Sequence, residues 1–375
     1  MGILELGSDH NVPRLDFELM HGCDHACGHC YNVWGADDDD PQGGYKKGTL
    51  TGDAFLNMVE KAIVDSGARH VTITGGEPLL HKQALEVIEL IGGLTDSMQI
   101  ITNGSHITEE VAQVFKRSGM RSVQLTLLSA SPGKHDLLKG AQCFDDTVRA
   151  ALTLRDYKIP VQVCFVAMRA NWEDFEEVVE LCHLLGVYQI SYNRMSPTGG
   201  AVHHINRLMP EVAHVKANLE TAERLGRKYN IRIATAMPIP PCLVRMERYP
   251  WVEFGFCSTG TESPNLTIDP LGVVRSCNLS SHPLGNIAHE DWDAIHTRIL
   301  EYQDDFRDNV PEVCRGCAYE RSCQGGCKES AFATFGDTAH PEPFLHLAHS
   351  PNWREDLALE KEAPRYDCPG SSLGQ

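Results

Sequence analysis

The chain has 375 residues, 42% of them hydrophobic, and a formal net charge of −18. That length suits one large domain with a smaller companion, and so acidic a chain offers no basic surface for phosphate contacts, which argues against nucleic-acid binding. No apolar run is long enough to span a bilayer, and the N-terminus lacks a basic region followed by an apolar core, so neither membrane insertion nor secretion is expected and the predicted location is the cytoplasm. Leu6 stands where a myristoylation signal wants Ser or Thr. Fourteen cysteines in a cytosolic chain of this size read as metal ligands rather than disulfides.

In chain order, residues 14–20 alternate apolar and polar, the period of a strand. Cys23-x3-Cys27-x2-Cys30 follows directly. Asp37 to Asp40 reads as a solvated loop. Phe55, Met58, Val59, Ala62 and Ile63 predict a helix over 52–66. A strand at 70–74 ends on Gly75-Gly76-Glu77-Pro78. Helices are then expected at 82–92, 107–118, 144–156, 172–185 and 208–228, alternating with strands at 98–102, 122–128, 160–167, 187–192 and 231–235. Such alternation implies βαβ units and a parallel sheet. The cysteine loop, Gly75–Pro78, Thr102-Asn103-Gly104 and Asn193-Arg194 all follow strands, so they can converge at one end of it. Pro238, Pro240 and Pro241 mark a break; beyond it helical periodicity is weak and cysteine is plentiful. The expected domains are residues 1–235 and 236–375.

Three thiols at the spacing of Cys23, Cys27 and Cys30 suit zinc or an iron–sulfur cluster. Zinc would need a fourth ligand, for which His25 or His29 is at hand. Three thiolates on a four-iron cube leave one iron open to chemistry. The triplet together with Gly75-Gly76-Glu77-Pro78 resembles the radical S-adenosylmethionine superfamily. The resemblance implies a partial (β/α)6 TIM-like barrel whose open iron binds the amino and carboxylate groups of S-adenosylmethionine. The reduced cluster would cleave it to a 5′-deoxyadenosyl radical that takes a hydrogen atom from substrate. It also implies an electron donor of the flavodoxin or ferredoxin type. Glu77 would meet the methionyl amino group, with Gly75 and Gly76 letting the backbone approach closely. Asn103, Thr126 and Lys139 match positions near the cofactor in relatives, although turn residues and a solvated lysine would look the same. Tyr31 is expected near the adenine or cluster; His29 departs from the aromatic usual before the third cysteine.

Cys257-x14-Gly272-x4-Cys277, then Cys314-x2-Cys317-x5-Cys323-x3-Cys327, and finally Cys368 resemble the SPASM extension of that superfamily. The resemblance implies two auxiliary [4Fe-4S] clusters, three in all. Cys257, Cys277 and Cys327 would hold the first; Cys314, Cys317, Cys323 and Cys368 the second. Gly325 and Gly326 would let the backbone wrap a cluster. Cys242 is either the fourth ligand of the first cluster or a buried thiol that leaves that site open to substrate. Cys143, Cys164 and Cys182 read as packing residues.

Most SPASM relatives modify peptides, so the expected substrate is a ribosomally made peptide that is cross-linked, epimerised or oxidised. The alternative is a small molecule in cofactor, tetrapyrrole or antibiotic biosynthesis. A three-cluster electron-transfer protein would not need Gly75–Pro78. The 22 residues before Cys23 are too few for a winged-helix leader-binding domain, which predicts a separate leader-peptide-binding protein or direct binding. Sulfatase-type maturation is disfavoured, because Asn278 stands where those relatives carry an Asp base and cannot take a proton. No catalytic acid or base can be named; Asp269, His340, His346 and His349 are the titratable residues of note in the extension.

Overall fold

The computed structural model describes residue 12, residues 14–35, 48–261 and 263–345. Its frame is a single sheet of eleven strands. The strands are β1 (Arg14–Glu18), β2 (His70–Thr74), β3 (Ser97–Thr102), β4 (Met120–Thr126), β5 (Val161–Ala167), β6 (Gln189–Arg194), β7 (Arg232–Thr235), β8 (Val252–Phe254), β9 (Asn265–Ile268), β10 (Val273–Arg275) and β11 (Pro283–Asn286). The helices are α1 (Asp53–Ser66), α2 (Ala84–Leu94), α3 (Glu109–Arg117), α4 (Pro132–Lys139), α5 (Phe144–Asp156), α6 (Phe175–Leu185), α7 (Ile205–Leu208), α8 (Val212–Tyr229), α9 (Trp292–Asp308), α10 (Glu320–Cys323) and α11 (Lys328–Phe335).

Strands β1 to β8 lie side by side in chain order, and every neighbouring pair is parallel. β9 adds a further parallel strand on the free side of β1, and β10 and β11 continue from it antiparallel. The region past residue 235 therefore joins the barrel sheet at both edges. Helix signals are local and ordinary. The Thr108 side chain caps α3 by accepting from Val111 N, with acidic residues in its first turn and basic ones in its last.

The strand period sorts the side chains. Leu15 and Phe17, Val71 and Ile73, Val123 and Leu125, and Ile190 and Tyr192 are buried in the apolar core under the helices. Their alternate neighbours, Asp16, Thr72, Gln99, Gln124, Gln162 and Ser191, line an interior cavity. This inner wall is laced by Gln99 Nε2 donating to Thr72 Oγ1 (2.9 Å) and Gln162 Nε2 to Ser122 Oγ (3.0 Å). A closed TIM barrel fills its interior with branched apolar side chains; this one keeps an open lumen with polar side chains among those on its wall.

One departure from the sequence reading is α9, a helix of 17 residues where helical periodicity looked weak. Its buried stripe is Trp292, Ile295, Ile299, Gln303 and Phe306, with a polar residue interrupting the apolar series. Among the described residues no helix is long and apolar enough to cross a membrane.

Candidate active site

The cysteine loop leaves the end of β1 and is clamped from two sides. The first clamp is the Gly75-Gly76 turn after β2. Gly76 N donates to Met20 O (2.8 Å) and Glu77 N to Gly22 O (2.9 Å). A Cβ on Gly76 would sit 1.9 Å from Gly22 O, and Gly75 has φ +133° with Met20 O 2.6 Å from where its Cβ would be. The glycines are thus needed for backbone to approach backbone beside the cysteines. The second clamp is the end of α4, where Lys139 O accepts from Ala26 N (3.2 Å) and from Cys27 Sγ (3.4 Å).

Glu77 is fully buried and does not line the cavity. Its carboxylate accepts from Thr102 Oγ1 (2.7 Å), Asn103 N (2.7 Å) and Leu79 N (3.1 Å). Burial pushes its pKa up, and the three donors pull the other way. Through these donors the Glu77 carboxylate braces the loop after β3. Asn103 continues that brace, with Nδ2 donating to Asp24 Oδ1 (2.8 Å) inside the cysteine loop. Burial raises the Asp24 carboxyl, but hydrogen bonds from His106 and Asn103 outweigh it and hold it below its ordinary range. Asn103, Thr126 and Lys139 all line the cavity with Cys23, Cys27 and Cys30. Lys139 is buried, so the solvated-lysine reading is overturned. His25, weighed as a zinc ligand, turns its Nε2 toward Ser105 Oγ at 3.3 Å. Buried His29 is held neutral by desolvation and by Lys139, its pKa lowered to about 3.

The cavity encloses about 1580 Å³. Cys257, Cys277 and Cys327 line it as well, so two cysteine groups look into one chamber. Between them Tyr31 reaches Asn278, which also accepts from Thr267 Oγ1 at 2.7 Å. Asn278 is within hydrogen-bonding reach of Asp16 too. Asp16 escaped the sequence reading. It accepts from Asn265 Nδ2 (2.7 Å) and faces the lumen, and burial raises its pKa to about 6. An acid on the cavity-facing side of an otherwise apolar alternation is the signal that marks it. Cys164, expected as packing, also lines the cavity, with Asn193 Nδ2 3.5 Å from its Sγ. Cys143 and Cys182 are buried thiols as expected.

Cys314, Cys317 and Cys323 gather at a second, much smaller cavity. Cys242, weighed as fourth ligand of the Cys257 group, lines this second cavity instead. Gly326, at φ +94°, would drive a Cβ to 2.3 Å from the Glu342 carboxylate, so the turn between Cys323 and Cys327 needs its glycines. Burial pushes the Cys30 thiol up to about 11 and those of Cys323 and Cys327 up to about 12; a metal must displace these protons to bind. Cys368, His346 and His349 lie outside the described residues. Asp269 is buried in the β9–β10 turn, accepting from Leu271 N and Val273 N (both 2.8 Å), and His340 packs its ring on Phe335, so neither lines the main cavity.

Two buried ion pairs join the extension to the barrel. Arg194, at the end of β6, pairs with Glu342, and Glu18 of β1 pairs with Arg275 at the end of β10. Asn193 and Arg194 line the main cavity, as the convergence of the loops after the strands predicts, and the Arg194 guanidinium is engaged by Glu342 and by Pro238 O.

Residues 17–182 match the model of the radical SAM superfamily. The matched residues form a radical SAM domain, and the comparisons support a radical SAM enzyme with a cysteine-rich C-terminal extension. It is 25% identical over 353 residues to the PqqA peptide cyclase of Rhizobium meliloti (strain 1021), covering 92% of this chain and 89% of that one. The PqqA peptide cyclase of Methylocella silvestris is also 25% identical over 353 residues, covering 90% and 88%. Among solved structures, Streptococcus suis SuiB bound to precursor peptide SuiA superposes with a TM-score of 0.68 at 16% identity, covering 89% of this chain and 76% of that one. The structure of native anSMEcpe with bound AdoMet gives a TM-score of 0.66 at 17% identity, covering 88% and 93%. At these identities the two structures speak to the fold.

Proposed function

We propose that the enzyme modifies a ribosomally made peptide, forming a cross-link, an epimer or an oxidised residue. The observation that carries this reading is the single cavity of about 1580 Å³ bounded by both cysteine groups, larger than a drug-sized site requires. The peptide named for the cyclase relatives points the same way.

Cys23, Cys27 and Cys30 fit a cluster with one open iron, being three thiols on one braced loop at the cavity wall. When bound and reduced, that cluster supplies the electron that cleaves S-adenosylmethionine to a 5′-deoxyadenosyl radical. Gly75, Gly76, Glu77, Asn103, Thr126 and Lys139 would bind the cofactor, the first three also holding the loop that presents it. Cys257, Cys277 and Cys327 fit an auxiliary cluster on the far side of the chamber. Cys314, Cys317 and Cys323 fit a second, for which the SPASM resemblance implies Cys368 as a further ligand. The barrel of residues 1–235 and the SPASM extension of 236–375 are the two units of this reading. A flavodoxin or ferredoxin-type donor would supply electrons, a separate protein would present the leader peptide, and the cytoplasm would provide the reducing setting.

Anaerobic reconstitution should give about twelve irons per chain, from three four-iron clusters. Saturation near four irons would remove the auxiliary clusters from the reading. Incubation with precursor peptides encoded beside the gene, followed by mass spectrometry, tests the substrate; modification of a small molecule and of no peptide would favour the cofactor or antibiotic alternative.

A further inference from the structure

Cys242 sits in the segment that leaves β7, just past Pro240 and Pro241, with Leu243 N donating to Pro240 O at 3.0 Å. The segment is tied to the cysteine run by one side chain. Arg194 donates to Pro238 O through Nε (3.2 Å) and Nη2 (3.0 Å), and Nη2 also pairs with Glu342. Glu342 in turn donates its backbone N–H to Gly325 O (3.1 Å), between Cys323 and Cys327. The two prolines restrict the backbone just before the thiol. This buried bracket holds Cys242 on the wall of the small cavity that Cys314, Cys317 and Cys323 also line. The other three thiols reach it from a tight series of turns: Cys317 N donates to Cys314 O (3.2 Å), and Gly326 N to Cys323 O (2.9 Å).

We propose that Cys242 is the fourth protein ligand of the second auxiliary iron–sulfur site, with Cys314, Cys317 and Cys323. This rests on the reading that a cluster binds there. Four thiolates complete a four-iron cube with one ligand per iron, which leaves Cys368 dispensable for that cluster. It also leaves Cys257, Cys277 and Cys327 as a three-thiol group on the substrate cavity. A fully ligated cluster away from that cavity has no open iron for substrate, so it is suited to passing electrons.

The test uses the full chain with Cys23, Cys27 and Cys30 replaced by alanine, so that only the extension's clusters contribute. Iron, acid-labile sulfide and low-temperature paramagnetic resonance are measured after anaerobic reconstitution. Cys242→Ala is expected to lose the same signal, and about four irons, that Cys314→Ala loses. Cys242→Ser is expected to keep iron but shift the g-values of that one cluster, since an oxygen ligand replaces sulfur. A merely structural role would leave the g-values unmoved. Cys368→Ala is expected to match the parent. The proposal is overturned if both Cys242 variants keep the parent's iron and spectrum while Cys368→Ala loses the signal. If Cys314→Ala itself keeps full iron, no cluster binds there, and it is the underlying reading that fails, the Cys242 assignment with it. Should Cys242→Ala prove insoluble, the Cys242→Ser spectrum decides alone.

Discussion

The barrel and the last described stretch of the extension are built on opposite plans. The barrel buries rows of Leu, Ile, Val and Phe between parallel strands and helices. Over residues 309–345 the buried hydrophobic residues are Val310, Cys314, Cys327, Ala331, Phe344 and Leu345, two of them thiols. The same stretch buries Lys328, Glu329, Ser330 and Glu342. A segment with so little apolar surface gains little from the hydrophobic effect. Its order draws on the buried ion pair of Glu342 with Arg194 of the barrel, and the proposed metal ligation would couple to its folding. On the proposed cluster assignments, cysteine means different things in the two regions: chemistry on a fold that stands without it, and structure where no core suffices.

The largest expected effect tests the first half of that contrast. Cys23→Ala, Cys27→Ala and Cys30→Ala should each abolish reductive cleavage of S-adenosylmethionine while leaving the circular dichroism spectrum unchanged. Cys314→Ala should instead lower the soluble yield and the unfolding midpoint. If the variant lacking all three N-terminal cysteines still makes 5′-deoxyadenosine, the site is misplaced.

Next in size is the docking of the extension. Arg194→Leu leaves Glu342 buried without its partner and frees Pro238 O. Breaking a buried pair from one side costs roughly 3–5 kcal/mol. The exposed pair Arg232–Glu253, which links β7 and β8, is the control; Arg232→Leu should cost about 0.2–1 kcal/mol. Urea midpoints read both, and equal losses would mean that the buried bracket does not hold the extension in place.

The alternation of strands and helices was legible because each βαβ unit carries its own period, and the expected elements up to residue 235 fall on observed ones. The pairing of β9 with β1 was not legible, because it joins residues some 250 apart by register alone. α9 was missed because Gln303 interrupts its apolar stripe. The cysteine patterns grouped Cys257, Cys277 and Cys327 apart from Cys314, Cys317 and Cys323, as the two cavities do, but set Cys242 beside the first group, whereas it lines the cavity of the second. Cys242 is far in sequence from Cys314, and only the folded chain brings the two to one small cavity. The motif names Glu77, and the packing around it decides where its carboxylate points.

The smallest predicted effect concerns Asp16, where the barrel borrows the extension's habit of burying charge. Asp16 lies between apolar Leu15 and Phe17, faces the lumen and takes its hydrogen bond from Asn265 on β9. Burial lifts its pKa from the ordinary 3.8 to about 6. The folded protein therefore binds this proton more tightly than the unfolded chain does. Stability from the group is fully present below 3.8 and is lost as pH rises through about 6. The gap sets a ceiling of roughly 3 kcal/mol on what the ionised carboxylate costs near neutrality. Asp16→Asn removes the titration while keeping a polar group of the same shape against Asn265. In denaturant unfolding of the reconstituted protein, the advantage of the Asn variant should grow between the unfolded value of 3.8 and the folded value of about 6, and flatten above that window. Parallel stability curves across it would show that Asp16 titrates normally, and that water in the lumen solvates the carboxylate.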